Sequence, residues 1–121
     1  GAPQIYSISA NGGQPNRLTF STNYNTDPDW SPRGDRLAFT TRIEGRFQIC
    51  SIRPDGSDLR VLTTQGSNQD PAWSPDGRMI AFSSDRRGRR EIFVMDARGE
   101  IQMPVSPIPG KAPAWSPPSG R

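Results

Sequence analysis

Apolar and β-branched residues fall along this chain in runs of four to seven, separated by clusters of Pro, Gly, Asp and Ser. No segment keeps the 3.6-residue apolar spacing of a helix over a useful length. Residues 79–84 are representative. Ile80 and Phe82 fall on one side of an extended chain, and Met79, Ala81 and Ser83 on the other. Neither side carries a charge, which suits a strand covered on both faces. Ahead of it, Ser74-Pro75-Asp76-Gly77 puts proline where a φ of about −65° is wanted and glycine where a positive φ is wanted. Ser31-Pro32-Arg33-Gly34 does the same, so both read as tight hairpins. A third run (91–96) follows a longer loop, and a turn at Gly12, Gly56 or Gly99 leads into a fourth.

These runs repeat. Trp-Ser-Pro occurs at Trp30, Trp73 and Trp115, spaced by 43 and 42 residues, and the flanking positions align with it. Asp27-Pro28 matches Asp70-Pro71, with Ala112-Pro113 at the third copy. Leu37-Ala38-Phe39 matches Ile80-Ala81-Phe82. Ile5 to Ile8, Ile49 to Ile52 and Ile92 to Met95 share one pattern, as do Leu18-Thr19, Leu62-Thr63 and Val105-Ser106. One such period cannot bury its own faces, so the prediction is an all-β chain of stacked propeller blades, each of four antiparallel strands, with Trp30, Trp73 and Trp115 as its structural repeat. The expected division is the last two strands of one blade in 1–23, full blades in 24–66 and 67–108, and the innermost strand of another in 109–121. Closed propellers use roughly four to eight blades, so about three repeats predict part of a longer propeller.

Composition narrows the chemistry. Thirteen prolines, twelve glycines and 31% hydrophobic residues suit a turn-rich β-protein. No apolar stretch approaches the roughly 18 residues of a membrane-spanning helix. With no histidine, a Ser-His-Asp hydrolase or a zinc site is not expected within these residues, and neither a G-x-S-x-G nor a P-loop pattern is present. Asp35, Asp55 and Asp76 fall in turns, where short carboxylates bond backbone N–H groups. The single cysteine, Cys50, aligns with Tyr6 and Phe93, a position expected to pack between blades. Arg33-Gly34-Asp35 aligns with the turn Asp76-Gly77-Arg78, so it is turn chemistry and not an adhesion motif.

The net charge of +3 is carried almost wholly by arginine, Lys111 being the one lysine. Arg86-Arg87-Gly88-Arg89-Arg90 lies between the second and third strands of its repeat. No aromatic residue interleaves with it, so nucleic-acid binding is not expected. It reads as a solvated hairpin tip or as a patch for an acidic protein partner.

Residues 70–84 followed by 91–96 resemble the repeat of TolB-like propellers, a family that includes periplasmic components of the Tol-Pal cell-envelope system. Similar blades occur in propellers of prolyl-oligopeptidase-type serine peptidases. Lys111 stands before Ala112-Pro113 where the family has aspartate, and Pro117-Pro118-Ser119-Gly120 replaces Pro-Asp-Gly. The resemblance implies a non-catalytic, periplasmic protein-interaction scaffold whose channel mouth receives a partner such as the peptidoglycan-associated lipoprotein Pal. The mouth would be built by loops 22–27, 64–70 and 107–112 together with 42–46 and 86–90. Its candidate partner-binding residues are Asp27, Asp70, Lys111, Arg86, Arg87, Arg89 and Arg90, although Asp27 and Asp70 also suit loop capping. Calcium in the channel is implied by family resemblance only, since two aspartates fall short of the roughly six to eight oxygens it prefers. Two other readings are a propeller piece of a serine peptidase, and a half-propeller whose exposed strand edges pair with a second copy.

Overall fold

Three hairpins 43 or 44 residues apart pair in one register: Ser7 with Asn16, Ser51 with Arg60, and Val94 with Met103. The computed structural model describes residues 6–9, 12–17 and 25–105, and every helix or strand element among them is a strand. Strands β1 (Tyr6–Ser9) and β2 (Gly12–Arg17) form a two-stranded sheet. The first four-stranded sheet runs β3 (Asn25–Trp30), β4 (Leu37–Ile43), β5 (Arg46–Ile52), β6 (Arg60–Val61). The second runs β7 (Asn68–Trp73), β8 (Met79–Ser84), β9 (Glu91–Asp96), β10 (Gln102–Pro104). All pairings are antiparallel and consecutive, as four-stranded blades require.

The two hairpins read from Ser-Pro are both present. Gly34 and Gly77 sit at φ 72° and 75°, and their N–H groups donate to the carbonyls of Ser31 and Ser74. Asp55 and Asp76 brace their turns as expected, accepting from the Ser57 and Arg78 N–H groups respectively.

The pleat decides which residues meet between blades. Ile80, Phe82, Phe93 and Met95 lie on one face of the second sheet, and they join Trp73 against Ala38, Ile49 and Leu62 of the first sheet. The Phe82 and Phe93 rings lie 6.0 Å apart at 28°. Full burial of each such side chain contributes about 1.5–3 kcal/mol, so this seam holds the two blades together. On its opposite face the first sheet buries Leu37, Phe39, Cys50 and Ile52. Cys50 is therefore buried within its own sheet's apolar cluster, and burial pushes its thiol up to about 12.

Trp30 does not repeat the packing of Trp73. It is 43% exposed, whereas Trp73 is 7% exposed. Trp73 rests on β4 and β5 and bonds to β3 of the preceding sheet. Among the described residues, only the two-stranded β1–β2 sheet precedes Trp30, with no counterpart of β3 or β4 to receive the indole. Trp115 lies outside the described residues.

The outer edges differ in how they are protected. Val105 N–H donates inward to the Ile92 carbonyl, so alternation turns the nitrogen of Pro104 outward, where no N–H is available to recruit another strand. On β6, Leu62 N–H donates inward to Ile49. The outward position there is Val61, which retains its N–H, but the strand is only two residues long.

Candidate functional site

The innermost strands β3 and β7 each carry Asp-Pro at a register break, between Thr26 and Asp29 and between Gln69 and Ala72. Proline lacks the N–H that a regular ladder would need, and a bulge removes that requirement. The preceding aspartates take the left-handed conformation, Asp27 at φ 54° and Asp70 at φ 59°, which Asp tolerates better than most residues. The bulges bring the two carboxyls together. Burial pushes the Asp70 carboxyl up, the Asp27 charge and a hydrogen bond between the two carboxyls push it further, and the Arg90 charge opposes them. Asp27, Asp70 and Arg90 thus come together on the side formed by the β4–β5 and β8–β9 loops. Lys111 lies outside the described residues.

The arginine loop 86–90 is tied into the fold at several points. Arg87 forms a bidentate pair with Glu91, at 2.9 and 2.6 Å. That hydrogen-bonded pairing holds the Glu91 carboxyl below the usual glutamate range although Glu91 is buried. Arg90 donates to the Ser67 carbonyl and to Ser83 Oγ, both at 3.1 Å. Arg86 lies over the Phe93 ring at 4.5 Å and the Phe82 ring at 5.4 Å. Both rings are buried, so they support the guanidinium from beneath and offer no face for a nucleobase. Arg89 stays exposed at the tip.

A polar network reinforces the same side. Gln48 Oε1 accepts from Thr63 Oγ1 at 2.7 Å and from Asn68 Nδ2 at 2.9 Å, while Gln48 Nε2 donates to the Gly66 carbonyl at 2.9 Å. Asn68 Oδ1 in turn accepts from Arg86 Nη2 at 3.2 Å. Gln48, Asn68 and Thr63 are all buried. This network fixes the connection from β6 to β7, so the loop that leads into Asp70 forms a rigid rim beside the carboxyl pair. Sequence reasoning missed Gln48, Asn68 and Glu91. The available signal was register, since Gln48 and Glu91 hold the same place at the start of the third strand.

At the opposite ends of the strands, Arg36 Nη1 and Arg60 Nη2 reach Asp58 Oδ2 at 2.9 and 3.0 Å, and Arg53 Nε lies at 3.5 Å. The hydrogen bond from Arg36 leads the lowering of the Asp58 carboxyl pKa. A cavity of about 580 Å³ beside them is lined by Asp35, Arg36, Arg53, Pro54, Asp55 and Arg60. Acids and bases alternate around it, so it presents no single-sign field.

Among the described residues, no three His, Cys, Asp or Glu side chains gather as a metal site. The carboxyl pair therefore supplies acceptors without a chelating cage.

Four-stranded antiparallel sheets in repeated register, with each blade's inner strand packed on its neighbour, define a β-propeller. The chain belongs to the TolB beta propeller domain family, whose model matches residues 1–119. A solved structure, the putative TolB from Agrobacterium tumefaciens, is similar with a TM-score of 0.81 and 30% identity, covering 88% of this chain and 39% of that one. The Tol-Pal system protein TolB of Wolbachia sp. subsp. Drosophila simulans (strain wRi) is 40% identical over 50 residues, 41% of this chain. Dipeptidyl-peptidase 5 of Porphyromonas endodontalis is 38% identical over 60 residues, 50% of this chain. The chain spans 12% and 9% of those two relatives' own lengths.

Proposed function

We propose that this chain is a non-catalytic protein-interaction scaffold of the bacterial envelope, acting in the periplasm as part of a Tol-Pal-type system that serves envelope integrity and cell division. Its partner is a Pal-like lipoprotein received at the face bearing Asp27 and Asp70. The observation that carries this reading is the rigid rim. Paired carboxyls on adjacent inner strands are surrounded by loops whose side chains are already hydrogen-bonded, so a partner meets a preformed surface at little ordering cost. Family membership supports the scaffold role, and similarity to Tol-Pal system proteins supports the partner class. Calcium as a further occupant of the channel rests on family resemblance alone.

The test is calorimetric titration of the chain with the periplasmic domain of a Pal-like lipoprotein. Saturable binding that weakens in Asp27→Asn and Asp70→Asn is expected, and absence of binding overturns the reading.

Likeness to dipeptidyl-peptidase 5 supports a second reading, in which this is the propeller portion of a serine peptidase. A parent gene that continues into a G-x-S-x-G segment would establish it.

A further inference from the structure

Arg86 is held in place without a carboxylate partner. Its Nε donates to Ser84 Oγ at 3.0 Å and its Nη2 to Asn68 Oδ1 at 3.2 Å. Both acceptors are neutral, and among the described residues no carboxylate pairs with it, in contrast to Arg87 with Glu91 and Arg36 with Asp58. A guanidinium has five N–H donors, so three remain for something else. Burial pulls the Arg86 pKa below the usual arginine value with no carboxylate offsetting it.

Arg86 lines a cleft between the blades, a cavity of about 270 Å³ bounded also by Thr64, Gln65, Gly99, Glu100 and Gln102. Thr64 and Gln65 are exposed and present a hydroxyl and an amide. Gln102 Nε2 already donates to the carbonyls of Leu62 and Gly99. Glu100, the one acid in the lining, is exposed and makes no ion pair with Arg86. In the preceding blade the Arg86 place is held by Ile43, so this chemistry belongs to one junction of the array.

We propose that this cleft is a carboxylate anchor, in which Arg86 receives an aspartate or glutamate side chain from an acidic partner segment. The proposal rests on the interaction reading above and adds the chemistry of its partner. The planar fork is held by stacking on Phe93 and Phe82 and by two hydrogen bonds, so it loses little freedom when a planar carboxylate binds. A phosphate dianion fits less well, because one cation beside Glu100 compensates only part of its charge.

The probes are an acetylated, amidated Gly-Glu-Gly-Glu-Gly peptide, its Gln counterpart and inorganic phosphate, each titrated at low salt into the full chain while the arginine Nε–H NMR signals are followed. The Glu peptide is expected to shift the Arg86 signal most, the Gln peptide to leave it unmoved, and phosphate to act more weakly. Arg86→Met is expected to weaken Glu-peptide binding about tenfold, and Arg89→Gln about twofold or less. No shift, an equal response to phosphate, or equal losses in the two variants overturns the proposal. Should Arg86→Met fail to fold, the wild-type titrations decide. Pal-domain binding without a Glu-peptide response removes this anchor alone, whereas a Glu-peptide response without Pal-domain binding removes the envelope partner alone.

Discussion

Trp73 and Asp29, 44 residues apart, are joined twice: the Trp73 backbone N–H donates to Asp29 Oδ2 at 2.8 Å, and its indole Nε1 donates to the Asp29 carbonyl at 2.9 Å. One residue of an inner strand thereby holds both the backbone and the ring of the next inner strand. The main-chain acceptor is available in any repeat, but the side-chain acceptor is not, because Ala72 stands at the place of Asp29 in the second sheet. The two hydrogen bonds set the spacing of β3 and β7, and the seam of Ile80, Phe82, Phe93 and Met95 supplies the apolar burial.

Trp73→Ala is expected to cost about 3–5 kcal/mol, because it removes a buried ring and leaves the Asp29 carbonyl without its donor. Trp30→Ala is expected to cost about 1 kcal/mol or less, since that indole is largely exposed. Asp29→Ala loses one hydrogen bond to a charged acceptor, about 1.5 kcal/mol, the lower end for such a bond when half-buried. Urea unfolding of the three variants checks the order, and equal midpoints for Trp30→Ala and Trp73→Ala would contradict it.

The blades solve one packing position in two ways. Arg36 donates from Nε to Ser51 Oγ at 2.9 Å and from Nη1 to Asp58 at 2.9 Å. Register sets Met79, Val94 and Ile101 in the same three places of the second blade. The two sets are not interchangeable, because Asp58 sits at φ 54°, a conformation closed to β-branched residues, and Ile101 is 60% exposed. Removing one partner of a buried charge is costly. Asp58→Asn keeps the left-handed backbone but leaves the buried Arg36 guanidinium without its carboxylate, so the variant is expected to melt below the wild type. Equal melting temperatures at pH 7 would show that Asp58 does not compensate Arg36.

The strands, hairpins and repeat were legible because backbone pleat and turn chemistry are local: Ile80 and Phe82 share a face whatever lies beyond it. The difference in burial between Trp30 and Trp73 was not legible, because burial depends on a neighbour, and the Trp-Ser-Pro pattern is identical whether or not a sheet is there to receive the ring. The site was legible only in outline. Asp27 and Asp70 stood out through their repeated Asp-Pro context, yet their meeting depends on two bulges and on blade spacing. The arginine loop was visible as charge alone. That Phe82 and Phe93 lie beneath Arg86, and that Glu91 takes up Arg87, follows from pairing across β8 and β9.

Gly99 and Gly45 share a positive φ, 74° and 80°, but differ in surroundings. A Cβ on Gly45 would meet nothing within 4 Å, whereas one on Gly99 would lie 2.7 Å from the Leu62 carbonyl oxygen. That carbonyl is backbone of the neighbouring blade and also accepts from Gln102, so it cannot retreat cheaply. Gly45→Ala is expected to cost about 1 kcal/mol, the backbone term alone, and Gly99→Ala about 1–3 kcal/mol more through the clash. Calorimetric melting of the pair separates the two terms, and equal losses would place the blades further apart than described.

The Asp27–Asp70 pair makes a pH prediction of definite sign. The Asp70 carboxyl is raised above its usual 3.8, first by burial and then by Asp27. Between 3.8 and the folded value the native state holds more protons than the unfolded state, so stability falls as pH rises through that window. Asp55, Asp58, Asp76 and Glu91 are lowered by their hydrogen-bonded partners. Their contribution is present above the ordinary carboxylate range and is lost as pH falls through their folded values, so the two effects occupy different windows. Asp70→Asn removes the raised group while keeping the bulge, because Asn also accepts a positive φ and its amide can still bond Asp27. The variant is expected to melt above the wild type at pH 7, with the gap closing as pH drops toward 3.8, where the wild-type carboxyl takes up its proton. Melting curves of both proteins from pH 3 to pH 8 decide it. A variant that melts below the wild type at pH 7 would mean that the charged Asp70 stabilises the fold, most directly through Arg90.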